Sequence, residues 1–298
     1  MRVAIVHYHL EPGGVTRVIE NTLESFSQEL ESPQFVVLTG RKYPGDKIKN
    51  VQIVEGLDYS SPTNSISPPV LKERLEKAAK VGLGGKPDIW HIHNHSLGKN
   101  ASLTKAVALL AEDANPMLLH PHDFAEDGRP SNFSALKEIY SSAYPSSSTV
   151  HYATLNHRDH TFLKKVFSTK ASPVHLLANA ISIPSAAQEV NTLPHPGLPD
   201  NLFLYPVRAV RRKNLGELAL IAASYPEKHF ANSLGPTNPE FQPIFKRWAQ
   251  FSNEINLPVT FALGEKTSVS FPEMVDHAEG ILSTSIAEGF GLGFLEPW

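Results

Sequence analysis

The chain of 298 residues has no cysteine. That excludes a disulfide framework, a thiolate zinc site and a cysteine nucleophile. Long apolar runs are missing as well: no stretch reaches the roughly 18 consecutive apolar residues that a membrane-crossing helix needs. An excess of positive charge is also lacking. With 27 Lys and Arg against 30 Asp and Glu, the formal net charge is −3, which argues against a dedicated nucleic-acid binder. The opening Met1-Arg2-Val3-Ala4-Ile5-Val6 meets His7 and Tyr8 too early for a signal-peptide core. Neither an internal repeat nor a low-complexity tract is present. The expectation from these absences is a cytoplasmic protein. The composition, 41% hydrophobic and 19% charged, supports a packed core, and the length suits two domains.

The element order points to α/β architecture. Arg2 to Tyr8 is a short buried-strand pattern, and Glu11-Pro12-Gly13-Gly14 breaks it. Val15, Val18, Ile19, Leu23, Phe26 and Leu30 then recur at helical spacing. Gln34–Thr39 is a second strand. Strand, glycine turn, helix and strand open a parallel α/β sheet. The alternation continues with a helix over Leu71–Val81, a strand over Asp88–His93, a helix over Ala101–Ala111 and a strand over Met117–His120. Val150–Leu155 is a strand, Asp159–Phe167 a helix, and Val174–Leu177 a strand that closes the set. Residues 1–182 form the expected first domain. Residues 183–200, rich in proline, read as a linker. Residues 201–298 restart the alternation as a second domain, with strands at Asn201–Val207, Val259–Leu263 and Gly280–Ser283. Helices are expected at Asn214–Ala223, opened by an Asn214/Glu217 capping box, and at Phe241–Ile255. Two such units suggest a ligand cleft between them.

Three constellations carry chemistry. The stretch from Ser283 through Glu288, Gly289, Phe290, Gly291, Leu292, Gly293 and Glu296 to Trp298 is a strand entering a glycine-rich turn. Backbone N–H groups in such a turn suit an anionic or hydroxyl-rich ligand. Glu288 and Glu296 flank it; on one helix they would stand about 12 Å apart, too far for one acid/base pair but suited to two ends of an elongated ligand. Arg208, Arg211, Arg212 and Lys213 put four cations in six positions between a strand and a helix, a good diphosphate site. His91, His93 and His95 alternate, so on a strand they share one face, and His120 and His122-Asp123 end the next strand. Asp123, Glu126 and Arg129 follow in a loop fit to meet a polar acceptor.

Glu288-Gly289-Phe290-Gly291 with Glu296 resembles the Glu-x7-Glu motif of retaining GT-B glycosyltransferases, specifically glycosyltransferase family 4. The resemblance implies two Rossmann-like domains with parallel sheets facing a cleft. It implies that Glu288 contacts the donor sugar, that Glu296 holds the ribose hydroxyls, and that the turn at Gly291 and Leu292 supplies amides. Arg208 and Lys213 match the family's cations on the donor diphosphate, although Val207 stands where glycine is common. Gly13-Gly14 matches the double glycine under the donor phosphates, and His122 the histidine beside the reacting sugar or acceptor. Asn179 stands where the family carries a Pro-Asn-Gly-Val stretch; with alanine on both sides it receives no role.

The implied reaction moves a sugar, with retention, from a nucleoside-diphosphate sugar to a sugar, lipid-linked or small hydroxyl acceptor. No metal and no cofactor are expected, and Lys72, Arg74, Lys77 and Lys80 among Glu73 and Glu76 form a solvated helix face rather than a membrane anchor. Membrane attachment stays open, since a lipid-linked acceptor would place the protein at the periphery of a membrane surface. The resemblance also implies that the second domain continues past Trp298, so low activity is expected of residues 1–298. Two other readings compete: a metal-dependent hydrolase built on His91, His93 and His122, and a non-catalytic sugar-nucleotide binder.

Overall fold

The computed structural model describes residues 1–27, 29, 31–61, 65–181, 195, 197–237, 239–286, 288, 290 and 291. The chain divides into two compact units, Met1–Ile181 and Ser182–Trp298.

The first unit runs β1 (Arg2–Val6), α1 (Gly14–Ser27), β2 (Gln34–Thr39), β3 (Val51–Ile53), α2 (Pro68–Leu83), β4 (Ile89–His93), α3 (Ala101–Glu112) and β5 (Met117–His120). It continues with α4 (Pro130–Lys137), α5 (Tyr140–Ala143), β6 (Val150–Thr154), α6 (His157–Val166) and β7 (Val174–Leu176). Its seven strands lie in the order β3-β2-β1-β4-β5-β6-β7, and every neighbouring pair is parallel. Order reverses between β1 and β4. In a doubly wound sheet that switch point opens a crevice at the strands' C-terminal ends, where ligands bind.

Local chemistry explains the elements. In β1, Ala4, Ile5 and Val6 are buried, as a central parallel strand requires. In α2 the stripe Leu71, Leu75, Ala79 and Leu83 faces the core at steps of four. Proline occupies its first turn and Gly84, at φ 66°, ends it in the left-handed conformation that a β-carbon would oppose. Asn100 and Asn156 cap α3 and α6 by accepting from Leu103 N and Asp159 N, both at 2.9 Å.

The second unit comprises β8 (Leu202–Arg208), a 3-10 turn (Arg211–Lys213), α7 (Leu215–Ser224), β9 (His229–Leu234), a 3-10 turn (Pro239–Phe241) and α8 (Gln242–Glu254). After these come β10 (Val259–Thr260), α9 (Leu263–Lys266), α10 (Phe271–His277) and β11 (Gly280–Ile281). The sheet order is β10-β9-β8-β11, again all parallel, with the switch point between β8 and β11. The β8–β9 register slips between Tyr205 and Arg208, where Pro206 has no N–H to give.

Several expectations need correction. Asn214 does not form a capping box: it sits at φ 49°, makes no side-chain cap bond, and its Nδ2 donates to Glu217 Oε2 at 2.6 Å. The 3-10 turn delivers the chain to α7 through a left-handed residue, a conformation unlike the extended one a capping residue uses. β10 stops at Thr260 because Ala262, at φ 56°, turns the chain into α9. β3, β9, α4, α5, α9 and α10 were not anticipated. Of the expected linker, 183–194 and 196 lie outside the described residues, as does Leu30 of the first helical stripe.

Candidate functional site

Two groups of side chains gather at the two switch points. In the second unit the basic turn leaves β8 and the glutamate segment leaves β11, and the two strands are hydrogen-bonded neighbours. The segments then bind each other. Ile286 N donates to Arg212 O at 2.9 Å, and Thr284 Oγ1 donates to Lys213 O at 2.9 Å. Lys213 Nζ pairs with Glu288 Oε1, with side chains 12% and 22% exposed. Ser285 Oγ donates to the same carboxylate oxygen at 2.5 Å and lies 2.7 Å from the buried Tyr205 hydroxyl. A cation and a carboxylate thus stand together beside the start of α7, whose first N–H groups carry partial positive charge. Arg208, the last residue of β8, donates from Nη1 to Gly235 O at 3.1 Å. Gly291 has φ 80°, which favours glycine. Leu292 and Glu296 lie outside the described residues.

In the first unit, β1, β4 and β5 deliver histidines to the crevice. His7 follows β1, His91 and His93 belong to β4, and His120 ends β5 with His122 just beyond. His93 and His120 are cross-strand partners, so they share a face with His91. His91 Nε2 lies 3.1 Å from His120 Nδ1, and His93 Nδ1 lies 2.8 Å from His122 Nε2. Burial strips water from all five rings and disfavours their charged forms. It lowers His7 and His91 to about 3 and His122 to about 4; His93 and His120 fall well below the usual range, burial again the main cause and neighbouring imidazoles the next.

Sequence reasoning missed Asn94. It takes φ 56°, its carbonyl accepts from Tyr8 Oη at 2.6 Å, and its Oδ1 accepts from His122 N at 2.7 Å and Asp123 N at 3.2 Å. One residue therefore holds the turn that presents both His122 and Asp123. An asparagine directly after a strand was the available signal, since asparagine tolerates the left-handed region.

Asp123 Oδ1 accepts from Arg129 Nη2 at 2.5 Å, and Arg129 Nη1 donates to Phe124 O and Asp127 O, both at 3.0 Å. Arg129 thus staples its own loop. Glu126 Oε1 accepts from Tyr144 Oη at 2.9 Å. Two histidine expectations change. His95 does not share the face of His91 and His93, because the left-handed Asn94 reverses the alternation and His95 lies buried against Ala143 O at 2.9 Å. Among the described residues the three histidines that each offer a ring nitrogen within 4.8 Å of the other two are His91, His93 and His120, whereas His122 meets His93 Nδ1. The cross-strand pairing selects His120, while His122 lies past the end of β5.

Gly14 opens α1, and Gly13 precedes it in a hollow shared with Leu10, Tyr43 and Gly45. Neither is required by the chain's own packing. A β-carbon on Gly13 would come no closer than 3.7 Å to Glu11 O, and one on Gly14 would meet nothing within 4 Å.

No family model matches the chain. It is 27% identical over 318 aligned positions to mannosylglucosyl-3-phosphoglycerate synthase of Petrotoga mobilis, an alignment covering 98% of this chain. The chain spans 62% of that curated relative's length. Among solved structures it resembles trehalose-6-phosphate synthase, with TM-score 0.64 and 15% identity over 97% of this chain and 79% of that one. The catalytic domain of starch synthase IV from Arabidopsis thaliana, bound to ADP and acarbose, follows at TM-score 0.61 and 12% identity, covering 97% and 78%. A UDP-forming α,α-trehalose-phosphate synthase from Burkholderia xenovorans gives 0.60 and 12%, again over 97% and 78%. The fold is that of GT-B glycosyltransferases. A GT-B chain uses two α/β units with parallel sheets, as this one does. Among the described residues, no helix is long and apolar enough to cross a membrane.

Proposed function

We propose that the chain belongs to a glycosyltransferase that moves a sugar, with retention, from a nucleoside-diphosphate sugar to a hydroxyl of a small acceptor. The observation that carries this reading is the meeting of Lys213 and Glu288 at the β8/β11 switch point, beside Arg208 and the start of α7. A diphosphate leaving group needs cations and amide donors; the sugar next to it needs a hydrogen-bond acceptor for its hydroxyls. Both are available where the segments that leave β8 and β11 meet. The relative and the solved neighbours, named as synthases of glycosidic products, support the same chemistry.

In the proposed reaction the bond from the anomeric carbon to the diphosphate oxygen breaks and a bond to the acceptor oxygen forms. The acceptor proton passes to the leaving diphosphate. Arg208, Lys213 and the α7 amides stabilise the charge that develops there. Glu288 orients the sugar, Glu296 and Leu292 are assigned to the nucleoside and the turn, and Gly13-Gly14 lets the donor approach the backbone. His122 and Asp123 are assigned to the reacting sugar and acceptor, with Glu126 and Arg129 shaping the loop that follows.

For the acceptor we infer a phosphorylated glycoside, the kind of compound that a mannosylglucosyl-3-phosphoglycerate synthase would extend. The test is transfer from UDP-, GDP- and ADP-linked hexoses to glucosyl-3-phosphoglycerate, with NMR of the new anomeric centre. Retained configuration supports the reading. Inverted configuration, or absence of nucleotide binding by the wild-type chain, removes it. Transfer to a polyprenyl-phosphate sugar in vesicles instead would move the acceptor to a membrane surface.

A further inference from the structure

The histidines at the ends of β4 and β5 hold an arrangement that the transfer reaction does not use. One ring nitrogen from each of His91, His93 and His120 lies within 4.8 Å of the other two. His93 and His120 are 1% and 2% exposed. Their Nδ1 atoms are held by other imidazoles, His93 by His122 at 2.8 Å and His120 by His91 at 3.1 Å. Their Nε2 atoms are fully buried and have no hydrogen-bond partner.

That pairing constrains the tautomers. Were the proton on Nε2, each ring would bury an N–H with nothing to receive it, a costly arrangement. With the proton on Nδ1, His93 donates to His122 and His120 donates to His91, and each keeps a bare, buried Nε2 lone pair; His91 Nε2 accepts the bond from His120 and is freed for an ion when that bond is given up. A ligating histidine commonly has this form: the distal nitrogen donates to an acceptor that fixes the ring, and the proximal one binds. The parallel register makes the convergence a property of the fold, because His93 lies directly across from His120 and His91 is two residues back on the same face.

We propose that His91, His93 and His120 form a binding site for a divalent transition-metal ion of the zinc class. Three neutral imidazoles and no thiolate favour zinc, cobalt, nickel or copper over magnesium or calcium, which prefer oxygen. Three protein ligands leave one coordination position open. The ion's place is between the C-terminal ends of β4 and β5, where it cross-links the two strands that carry Asn94 and the His122–Asp123 turn. Its role is to brace that end of the first unit, and it takes no part in the glycosyl-transfer steps. The inference does not rest on the proposed function.

The test uses the untagged full chain, stripped with a chelator and titrated with Zn2+ by calorimetry and with Co2+ by visible spectroscopy. Expected are one Zn2+ bound per chain, a raised Tm, and Co2+ bands at intensities typical of four-coordinate sites. His91→Gln and His120→Gln should each weaken Zn2+ binding at least tenfold, while His95→Gln and His151→Gln leave it unchanged. Circular dichroism shows whether each variant folds. If His120→Gln does not, the half-buried His91→Gln and the wild-type Co2+ spectrum decide. Absence of stoichiometric binding by the wild type would falsify the site, as would equal affinity in His91→Gln.

Discussion

Lys213 and Glu288 lie 75 residues apart in sequence and form an ion pair, with Ser285 donating to the same carboxylate oxygen. The pair joins the chain's two most specific sequence signals, the basic turn and the glutamate turn. It also sets a competition. A diphosphate drawing on the Lys213 ammonium has to share it with Glu288 or displace it.

Replacing either member separates the two roles. If Lys213 and Arg208 bind the diphosphate as proposed, Lys213→Ala and Arg208→Ala should each cost about 1.5–3 kcal/mol, or roughly 10–150-fold in affinity. Glu288→Gln keeps the side chain's shape but releases the ammonium. Nucleoside-diphosphate affinity should then hold or rise, while transfer from the intact nucleotide-sugar falls. Calorimetry with the diphosphate and turnover with the nucleotide-sugar read the two effects separately. A Glu288→Gln variant that loses diphosphate binding as Lys213→Ala does would contradict the assignment.

Asn94 is expected to be a fixed point of the first unit. Asn94→Ala removes an acceptor shared by two backbone N–H groups and leaves a β-carbon residue at φ 56°. Leaving buried donors unpaired costs about 1–3 kcal/mol, and the left-handed conformation adds about 1 kcal/mol. Asn94→Asp keeps the acceptor and should retain most of the stability. Chemical denaturation of the three proteins measures this. Equal midpoints for Asn94→Ala and wild type would show that the turn holds itself.

How much was legible in the sequence depended on which interactions shape an element. β1 and α1 were readable because their apolar residues follow one period each. β9 was not: in His229–Leu234 the buried positions include Asn232 and Ser233. Those side chains are satisfied only after folding, Asn232 by Leu234 O and Ala262 N, Ser233 by Val207 O. β10 looked longer because Phe261, Ala262 and Leu263 are apolar, and nothing local announces that Ala262 takes a left-handed turn. At the site, residue types and strand ends were readable. The choice of His120 over His122 and the part played by Asn94 came from strand register and a single backbone angle, which one sequence does not display.

The buried imidazoles make the first unit sensitive to acid. Their folded pKa values are depressed, to about 3 for His7 and His91 and about 4 for His122, while an unfolded histidine titrates near 6.5. Below about pH 6.5 the unfolded chain therefore binds protons that the folded one does not. The stability contribution is complete above that point and is lost as pH falls toward the folded values. Each such histidine adds a slope approaching about 1.4 kcal/mol per pH unit. Carboxylates contribute little between about pH 7 and 5, which isolates the effect. In a chelator-treated sample the Tm should fall steeply across that window, and His91→Gln should flatten the fall. A Tm constant across it would mean that the rings are hydrated or already charged.

Gly14 tests whether the start of α1 is used by a ligand. It is the first residue of α1, and a β-carbon there would meet no atom within 4 Å. Folding alone gives no reason for glycine at this position; alanine should be neutral or stabilising by up to about 1 kcal/mol, given its higher helix propensity. Gly98 provides the contrast, since it has φ 74° and its β-carbon would lie 2.2 Å from Asn132 O. Gly98→Ala should therefore lower the Tm, while Gly14→Ala should not. If the donor approaches the backbone at Gly13-Gly14, Gly14→Ala should raise KM for the nucleotide-sugar several-fold in a protein of undiminished stability. Glycine retained for a ligand is distinguished in this way from glycine retained for the fold. Unchanged KM and unchanged Tm together would show that the double glycine serves neither.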